Sequence, residues 1–196
     1  YQEVDFRMDY EYRRFYSVYD RLEDTADFEP LRDLVENIYT NEYLETLLPK
    51  WNHAIMEQDS FTALPLQRDF YARNLRNAKE RTVVIISDAL RYEVGKELFL
   101  RMQDDPKCTA KFEVQLSVLP SNTRLGMAAL LPHTALELTD DFKVLIDGQP
   151  CDSLSERQAI LQKYSPDSAC VQFDSIKSLK IADLRSVFTG KQVVYV

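Results

Sequence analysis

One segment, Arg81–Glu93, constrains the fold of this chain more than any other. Its five consecutive β-branched residues, Thr82–Ile86, predict a strand buried on both faces, as in the middle of a parallel sheet. A helical pattern follows, in which an apolar residue recurs at every fourth position: Leu90, Val94, Leu98 and Met102. Asp88 lies between strand and helix, and ligands of open α/β sheets bind beyond the carboxyl ends of strands. Asp88 is therefore a candidate functional residue, and the alternative is that it merely caps the helix.

A second strand-to-helix junction follows. Apolar residues alternate with polar ones over Phe112–Val118, which is the period of a strand. The turn Ser121–Arg124 then opens a short helix that Pro132 ends, and Thr123 falls in its first turn, where backbone N–H groups suit a phosphate. A hydroxyl there can attack phosphorus if a metal lowers its pKa. The alternative is that Ser121, Asn122 and Thr123 are simple caps, but two such junctions in succession are more specific than either alone.

The segments VVIISDALRYEVGKEL and LPSNTRLGMAALLP resemble the opening of the PglZ domain. That domain belongs to the alkaline phosphatase superfamily and occurs in the phage growth limitation and BREX defence systems of bacteria. The resemblance covers roughly residues 80 to 196. It implies that Asp88 ligates a divalent metal and that Thr123 is both the nucleophile and a metal ligand.

The resemblance also implies a fold and a function. The fold is α/β: an N-terminal helical region followed by the first part of an alkaline-phosphatase-like parallel-sheet sandwich, which is truncated. The full-length parent is expected to be a metal-dependent phosphatase or phosphodiesterase of a phage-defence system. Zinc is the superfamily's usual ion, although oxygen-rich sites also accept manganese or magnesium. A nucleic-acid or nucleotide phosphodiester is the implied substrate, and other defence-system proteins are the implied partners.

The family's remaining Asp and His ligands lie beyond the last strand of this chain, so the predicted site is incomplete. Two-metal phosphoryl transfer needs several carboxylate and imidazole ligands around the ions, and Asp88 and Thr123 cannot form such a site alone. We therefore expect the catalytic metals to be absent from this fragment and the fragment alone to be inactive.

Composition sets further bounds. The three cysteines of this 196-residue chain have no metal-ligand spacing, which favours reduced thiols in a cytoplasmic protein. No apolar run approaches the ~20 residues needed to span a membrane. The first residues do not form a signal peptide, and the chain has the character of an excised piece of a longer protein.

The net charge of −8 is unevenly distributed. Residues 1–80 contain 10 basic and 17 acidic residues, and the rest of the chain contains 14 basic and 15 acidic residues. An acidic chain without a basic stripe is a poor autonomous binder of nucleic acid.

Residues 1–79 are predicted to form a helical, acidic, Tyr-rich region, and residues 80–196 a partial α/β domain. Seven of the eleven tyrosines lie in the first 43 residues. Because tyrosine is favoured at interfaces, this region could be a docking surface for other defence-complex subunits, which makes a non-catalytic docking module the alternative function. The other interpretation is that the rings pack within a helical bundle.

The apolar spacing of the helical region predicts three helices. The first contains Tyr12, Phe15, Tyr16, Tyr19 and Leu22. After a break at Asp24–Glu29, a second helix begins near Pro30 and ends at Pro49. A third helix is predicted over Leu66–Lys79 with Phe70 facing inward, after an approach loop at Asp59–Thr62.

The rest of the α/β part alternates strands and helices. A strand over Asp140–Gly148 with an Asp-Gly turn predicts a hairpin with Gln149–Cys151. Ser153 and Glu156 have capping-box spacing and open a helix that runs to about Tyr164. The remaining predicted elements are a strand at Ala169–Phe173, a helix at Ile181–Phe188 closed by Gly190, and a strand at Lys191–Val196.

Other polar residues are weaker candidates. Arg91 and Arg124 follow the two junctions and could hold phosphate oxygens, as could Asn122, although either arginine could equally form a surface salt bridge. His133 is expected outside the site, about 12 Å from Thr123, and His53 is expected on the surface.

A third and more distant interpretation is that the chain is an unrelated nucleotide-binding domain. The lack of a glycine-rich phosphate loop in a chain with four glycines opposes it.

Overall fold

A computed structural model of the protein describes residues 4–57 and 64–196. The chain forms two compact units, one comprising Tyr1–Ala63 and Leu90–Glu113, the other Leu64–Ala89 and Val114–Val196. Each unit thus combines segments that are distant in sequence. A compact unit is not necessarily an independent domain, so the division between residues 79 and 80 stays a prediction. The predicted loop Asp59–Thr62 lies outside the described residues.

The described residues form a mixed α/β structure. Their α-helices are α1 (Phe6–Tyr19), α2 (Glu29–Asn37), α3 (Glu45–Met56), α4 (Phe70–Asn74), α5 (Tyr92–Gln103), α6 (Thr123–Ala129), α7 (Leu154–Tyr164), α8 (Phe173–Ile176) and α9 (Ile181–Phe188). Their strands are β1 (Thr82–Val84), β2 (Leu136–Leu138), β3 (Val144–Ile146), β4 (Gln149–Pro150), β5 (Ser168–Cys170) and β6 (Val193–Tyr195). In this part of the chain, no helix has both the length and the apolar character required to cross a membrane.

Residues 4–57 are mainly helical, and one predicted boundary is wrong. Pro49 was expected to end the second helix, whereas it lies inside α3 as the fifth residue. A π-helical turn, Ile38–Leu44, joins α2 to α3, and the backbone keeps a right-handed helical conformation through both junctions. Pro49 therefore lies within a continuous helical run. It removes one backbone N–H donor, and the helix continues to Met56.

The predicted helix over Leu66–Lys79 is much shorter than expected. A 3₁₀ turn, Gln67–Asp69, leads into α4, which ends at Asn74. The Asn74 side chain donates a hydrogen bond of 2.9 Å to the Phe70 carbonyl, and a short polar side chain that competes for backbone groups favours a helix end. Phe70 packs against the core of the second unit, as expected.

The tyrosines of the first unit pack among themselves. The rings of Tyr12 and Tyr39 stack with centroids 3.7 Å apart. Tyr12 and Tyr16 donate hydrogen bonds of 2.8 and 2.6 Å to the same carboxylate oxygen of Glu36. These hydrogen bonds lower the pKa of Glu36. This packing agrees with the interpretation of the rings as part of a helical bundle.

The second unit is built on a three-stranded parallel sheet in the order β1-β6-β5. The central strand is β6, whose three residues are all buried. The sheet contributes to a core that also receives residues from α4, α6, α7 and the β2-β3-β4 sheet. Its buried members are Tyr71, Leu75, Val84, Leu125, Ala128, Leu131, Val144, Ile146, Cys151, Ile160, Leu161, Cys170, Val193 and Tyr195.

The prediction that the first strand is buried on both faces is wrong. Among the described residues β1 pairs only with β6 and is an edge strand. Val84 is buried, but Val83 and Ile85 are 45% and 76% exposed. A run of β-branched residues predicts that a strand forms. Burial of both faces also requires other elements to pack on each face of the sheet, and in the part of the chain that the structure describes only the face that carries Val84 is covered.

The predicted strand at Phe112–Val118 is also wrong. Only Leu116 takes part in pairing, through an isolated parallel bridge to Leu66. The side chain of Gln67 accepts the Val118 N–H at 3.1 Å, which satisfies a backbone donor that a ladder would otherwise use. Alternating polarity therefore reflects one inward face here rather than a sheet.

The later elements form where the sequence predicts them, but two strands are shorter than expected: Val144–Ile146 instead of Asp140–Gly148, and Val193–Tyr195 instead of Lys191–Val196. β3 and β4 pair antiparallel around Asp147 and Gly148, whose φ angles of 49° and 74° are those of the predicted Asp-Gly turn. β2 was not predicted and pairs antiparallel with β3. The capping box at Ser153 opens α7, and Gly190, with φ of 75°, follows α9. β5 ends at Cys170, three residues earlier than expected, because Phe173 begins α8.

Candidate functional site

Asp88 lies just beyond β1 and is not a helix cap. The N-cap position of α5 belongs to Arg91, so the capping interpretation of Asp88 is wrong. The exposed carboxylate accepts the Ala89 N–H at 3.0 Å, and Ala89 has a φ of 53°. This left-handed conformation costs an L-residue about 1–2 kcal/mol, and such strain is concentrated at functional positions.

Thr123 is the first residue of α6. Asn122 holds the N-cap position, and its side-chain oxygen accepts the Leu125 N–H at 2.9 Å. Leu125, Ala128 and Ala129 are buried and anchor the helix, whereas Thr123 is exposed. The chain thus presents the Thr123 hydroxyl on a fixed turn at the surface.

The two junctions meet through these residues. The Thr123 hydroxyl lies 3.3 and 3.2 Å from the two carboxylate oxygens of Asp88, 35 residues away in the sequence. Both distances exceed the roughly 2.5–2.7 Å of a strong hydroxyl–carboxylate hydrogen bond, so this exposed contact is weak and places the two groups next to each other. The arrangement offers a nucleophilic oxygen and an anionic oxygen ligand side by side.

The other predicted residues lie in different surroundings. Arg124 is 66% exposed, with Nε 3.8 Å from Asp152 Oδ1, a contact that matches the salt-bridge alternative. Arg91 belongs to the first unit, so its part in phosphate binding stays a prediction, as does that of Asn122. His133 Nδ1 lies 2.7 Å from the Leu131 carbonyl oxygen, and His53 is a surface residue whose Nε2 lies 3.1 Å from Glu57.

The available donors form only part of a metal site. Asp88 and Thr123 provide oxygen atoms, which suit hard divalent cations. Within residues 4–57 and 64–196, no group of three or more His, Cys, Asp or Glu side chains is placed to hold a metal. The residues present therefore fit one side of a coordination shell and not a complete site.

Sequence reasoning missed a cavity of about 400 Å³ in the second unit. Ile86, two residues before Asp88, and Met127, one helical turn after Thr123, both line it. In the sequence these residues are indistinguishable from core positions, because their apolar character fits the strand and helix patterns equally well. The cavity is built from segments distant in sequence, so no local signal could have revealed it.

Comparison with known proteins defines the class to which this α/β fold and its Asp-Thr pair belong. A family model described as the BREX system PglZ alkaline phosphatase-like domain matches residues 69–196. The chain therefore belongs to the PglZ family of alkaline phosphatase-like proteins.

Two curated relatives match along the whole chain. The alkaline phosphatase-like protein PglZ of Bacillus cereus (strain H3081.97) is 38% identical over 203 residues. The alkaline phosphatase-like protein BrxZ of Escherichia coli O9:H4 (strain HS) is 33% identical over 210 residues. The chain spans 24% of the length of each relative. No solved structure matches it.

Proposed function

We propose that this chain is part of a longer cytoplasmic phosphatase or phosphodiesterase of a bacterial BREX phage-defence system, with Thr123 as nucleophile and Asp88 as metal ligand. The observation that carries the proposal is the hydrogen bond between Thr123 and both carboxylate oxygens of Asp88, at 3.3 and 3.2 Å. Membership in an alkaline phosphatase-like family supports a hydrolase and the involvement of other defence proteins. The finer assignments rest on the two junction motifs.

In the proposed reaction the Thr123 oxygen attacks phosphorus and the ester oxygen leaves with the bonding electron pair. The Thr123 proton passes to solvent water as the new P–O bond forms, and the departing ester oxygen takes up a proton from water. Asp88 accepts a hydrogen bond from the Thr123 hydroxyl until then. Water then attacks the phosphothreonine, which releases phosphate or a phosphate monoester and restores the hydroxyl. Arg124 and Asn122 are proposed to contact phosphate oxygens, because a guanidinium group binds them in bidentate fashion and an amide can donate to them.

A divalent metal held by Asp88 and Thr123 would lower the pKa of the Thr123 hydroxyl and neutralise charge on the phosphoryl oxygens. Zinc is the first candidate, followed by manganese and magnesium, since an oxygen-rich donor set accepts all three. Because Asp88 and Thr123 make an incomplete shell, we expect this chain alone to show no metal-dependent turnover. A nucleic-acid or nucleotide phosphodiester is the proposed substrate.

The test is hydrolysis of bis-(p-nitrophenyl) phosphate by a protein of the relatives' full length that contains this chain. Activity is measured with zinc or manganese, before and after chelation. Thr123→Ala is expected to lower kcat by about 10³-fold or more, because it removes the attacking oxygen. Thr123→Ser should retain activity to within about tenfold, since the hydroxyl remains. Asp88→Asn should raise the metal concentration needed for half-maximal activity.

Matched controls separate the site from general damage. Thr109→Ala and Asp140→Asn make the same chemical changes at exposed positions and should leave kcat unchanged. Activity that resists chelation, or that survives Thr123→Ala, would show that this pair is not the reacting centre.

A second candidate function is docking of other defence-complex subunits by the acidic helical region. The observation that favours it is an exposed apolar stripe on α2 and the residue after it, in which Leu31, Leu34 and Ile38 are 47%, 53% and 37% exposed. Leu34→Glu should reduce co-elution of the full-length protein with other BREX proteins in size-exclusion chromatography. Ile181→Glu, at a 72% exposed apolar position on α9, is the control and should not. Equal effects of both variants would remove the stripe from consideration.

A further inference from the structure

The cavity of about 400 Å³ lies at the carboxyl ends of the three parallel strands. Ile86 follows β1, Val171 follows β5, and Tyr195 ends β6, and all three line it. In open α/β sheets this edge is where ligands bind, and the volume falls within the range of small-molecule sites.

The walls of the cavity are mainly apolar, although four lining residues carry polar side-chain groups: Arg157, Cys170, Gln172 and Tyr195. Tyr195 donates its hydroxyl to the Leu130 carbonyl at 2.7 Å, so the ring contributes an apolar surface. Burial raises the pKa of the Cys170 thiol to about 11, which keeps the thiol neutral at physiological pH. A ligand in this cavity is therefore recognised mainly by its apolar surface.

Arg157 is the charged residue of the lining, and its guanidinium is held in place by three contacts. Nε and Nη2 donate to the carbonyls of Cys151 and Asp152 at 2.8 and 2.9 Å, and Nη1 lies 3.2 Å from the sulfur of Met127. A guanidinium fixed in this way is a rigid planar cation, and such a group stacks on aromatic rings. Phe173, which also lines the cavity and is 62% exposed, offers a second stacking surface.

Two elements that line the cavity also carry the residues of the candidate site. Ile86 lies two residues before Asp88, about 7 Å along an extended chain. Met127 lies four residues after Thr123 on α6, about 6 Å along the helix. A phosphate bound at Thr123 therefore places the group esterified to it within reach of the cavity.

We propose that the cavity binds the planar aromatic group of the phosphate ester, a nucleobase or an aryl group, whose phosphate is held at Asp88 and Thr123. This inference rests on the proposed function for the position of the phosphate but not for the binding of the ring. An apolar wall with a fixed guanidinium and an exposed phenyl ring suits a flat, weakly polar group and does not suit a sugar or an aliphatic polyol.

The test uses methyl NMR of this chain with ¹³C-labelled methionine methyl groups. Of the four methionines, Met127 lines the cavity, whereas Met8, Met56 and Met102 belong to the first unit and serve as internal controls. The Met127 signal is assigned from its loss in Met127→Leu. Adenosine 5′-monophosphate, adenosine, p-nitrophenyl phosphate and ribose 5-phosphate are titrated separately. The first three are expected to shift the Met127 methyl signal saturably, and ribose 5-phosphate is not.

Two matched variants locate the ring. Phe173→Ala should weaken adenosine 5′-monophosphate binding about tenfold, the effect of losing one stacking surface. Phe142→Ala, at a 74% exposed phenylalanine outside the lining, should not change it. If only the nucleotide and adenosine shift Met127, the occupant is a nucleobase; if p-nitrophenyl phosphate does so as well, the subsite accepts aryl groups generally.

The proposal is overturned if ribose 5-phosphate shifts Met127 as strongly as the aromatic ligands, if no ligand shifts it, or if Phe173→Ala binds normally. The NMR titration measures binding and does not depend on turnover. An inactive full-length protein would therefore contradict the proposed hydrolase activity but would not affect the test of the aromatic subsite. Conversely, hydrolysis that depends on Thr123 can coexist with failure of the aromatic subsite.

Discussion

Two aspartates of the second unit follow strands in the same way, yet their carboxylates have different surroundings. Asp147, after β3, accepts the backbone N–H groups of Thr134 and Ala135 at 2.9 and 2.7 Å and the Tyr164 hydroxyl at 3.2 Å. These hydrogen bonds, led by that from Ala135, lower the pKa of Asp147. Asp88 accepts only its neighbour's N–H and the Thr123 hydroxyl among the hydrogen bonds of the described residues. Asp147 therefore connects structural elements, whereas Asp88 leaves much of its bonding capacity for a ligand.

Exchange of each aspartate for asparagine should separate these roles. Asp147→Asn is expected to lower the free energy of unfolding at pH 7 by about 1 kcal/mol, because it weakens charge-assisted hydrogen bonds at a largely exposed site. Asp88→Asn makes the same chemical change and should stay within about 0.5 kcal/mol of the parent. Urea denaturation followed by circular dichroism measures both. A larger loss at Asp88 than at Asp147 would reverse the assignment of roles.

The effect of Asp147 should also depend on pH. Its folded-state pKa lies below the ordinary value of 3.8, so its charge stabilises the fold fully above that value. The stabilisation is lost as the pH falls through the lower, folded-state pKa. The difference between parent and Asp147→Asn should therefore be constant from about pH 5 to 8 and shrink below about pH 4. Denaturation midpoints across this range test the sign, and a difference that grows towards low pH would contradict it.

At the scale of elements, local signals were reliable where the local chain determines the outcome. The capping box at Ser153 and the Asp-Gly turn at Asp147 depend on residues within reach of one another, and both formed as predicted. The strand at Phe112–Val118 and the double-sided burial of β1 failed because both require partners from elsewhere. The proximity of Asp88 and Thr123 follows from the family resemblance, which makes both of them metal ligands. It does not follow from strand pairing, because the segment before Thr123 forms only an isolated bridge at Leu116. The cavity could not be predicted, because its lining comes from several distant segments.

A partly buried ion pair joins two helices of the first unit. Glu93 on α5 is 3% exposed, and its carboxylate accepts from Arg13 Nε on α1 at 2.5 Å. Glu93→Ala should lower the free energy of unfolding by about 1–3 kcal/mol, since it removes the acceptor and leaves a partly buried guanidinium unsatisfied. Glu97→Ala is the matched control one turn along α5. Its ion pair with Arg101 is exposed and should contribute less than about 1 kcal/mol. If both variants lower the free energy of unfolding equally, the burial of Glu93 does not increase the contribution of its ion pair to stability.

At the scale of the whole molecule, the family match and the compact units divide the chain differently. The matched region begins at residue 69 and includes α5, but α5 belongs to the same unit as α1, which precedes the match. The contacts are specific: Arg13 pairs with Glu93, and the rings of Phe6 and Tyr92 meet edge to face with centroids 5.5 Å apart. Helix α5 lies within the region that the family model matches, yet part of its packing surface is supplied by α1, which lies outside that region.

This arrangement predicts what happens when the chain is cut near the family boundary. In a fragment of residues 64–196, α5 loses α1 as its packing partner, and an unsupported helix of twelve residues is only marginally stable in water. Its amide hydrogens should exchange about tenfold faster or more than in the whole chain, because local opening costs less without the partner. The amides of β6 and α7 belong to the other unit and provide the internal control, with exchange expected to change little. Hydrogen–deuterium exchange measured by mass spectrometry resolves these segments. Undiminished protection of α5 in the fragment would mean that α1 does not stabilise it, whereas selective loss would show that α1 is needed for the unit that contains α5.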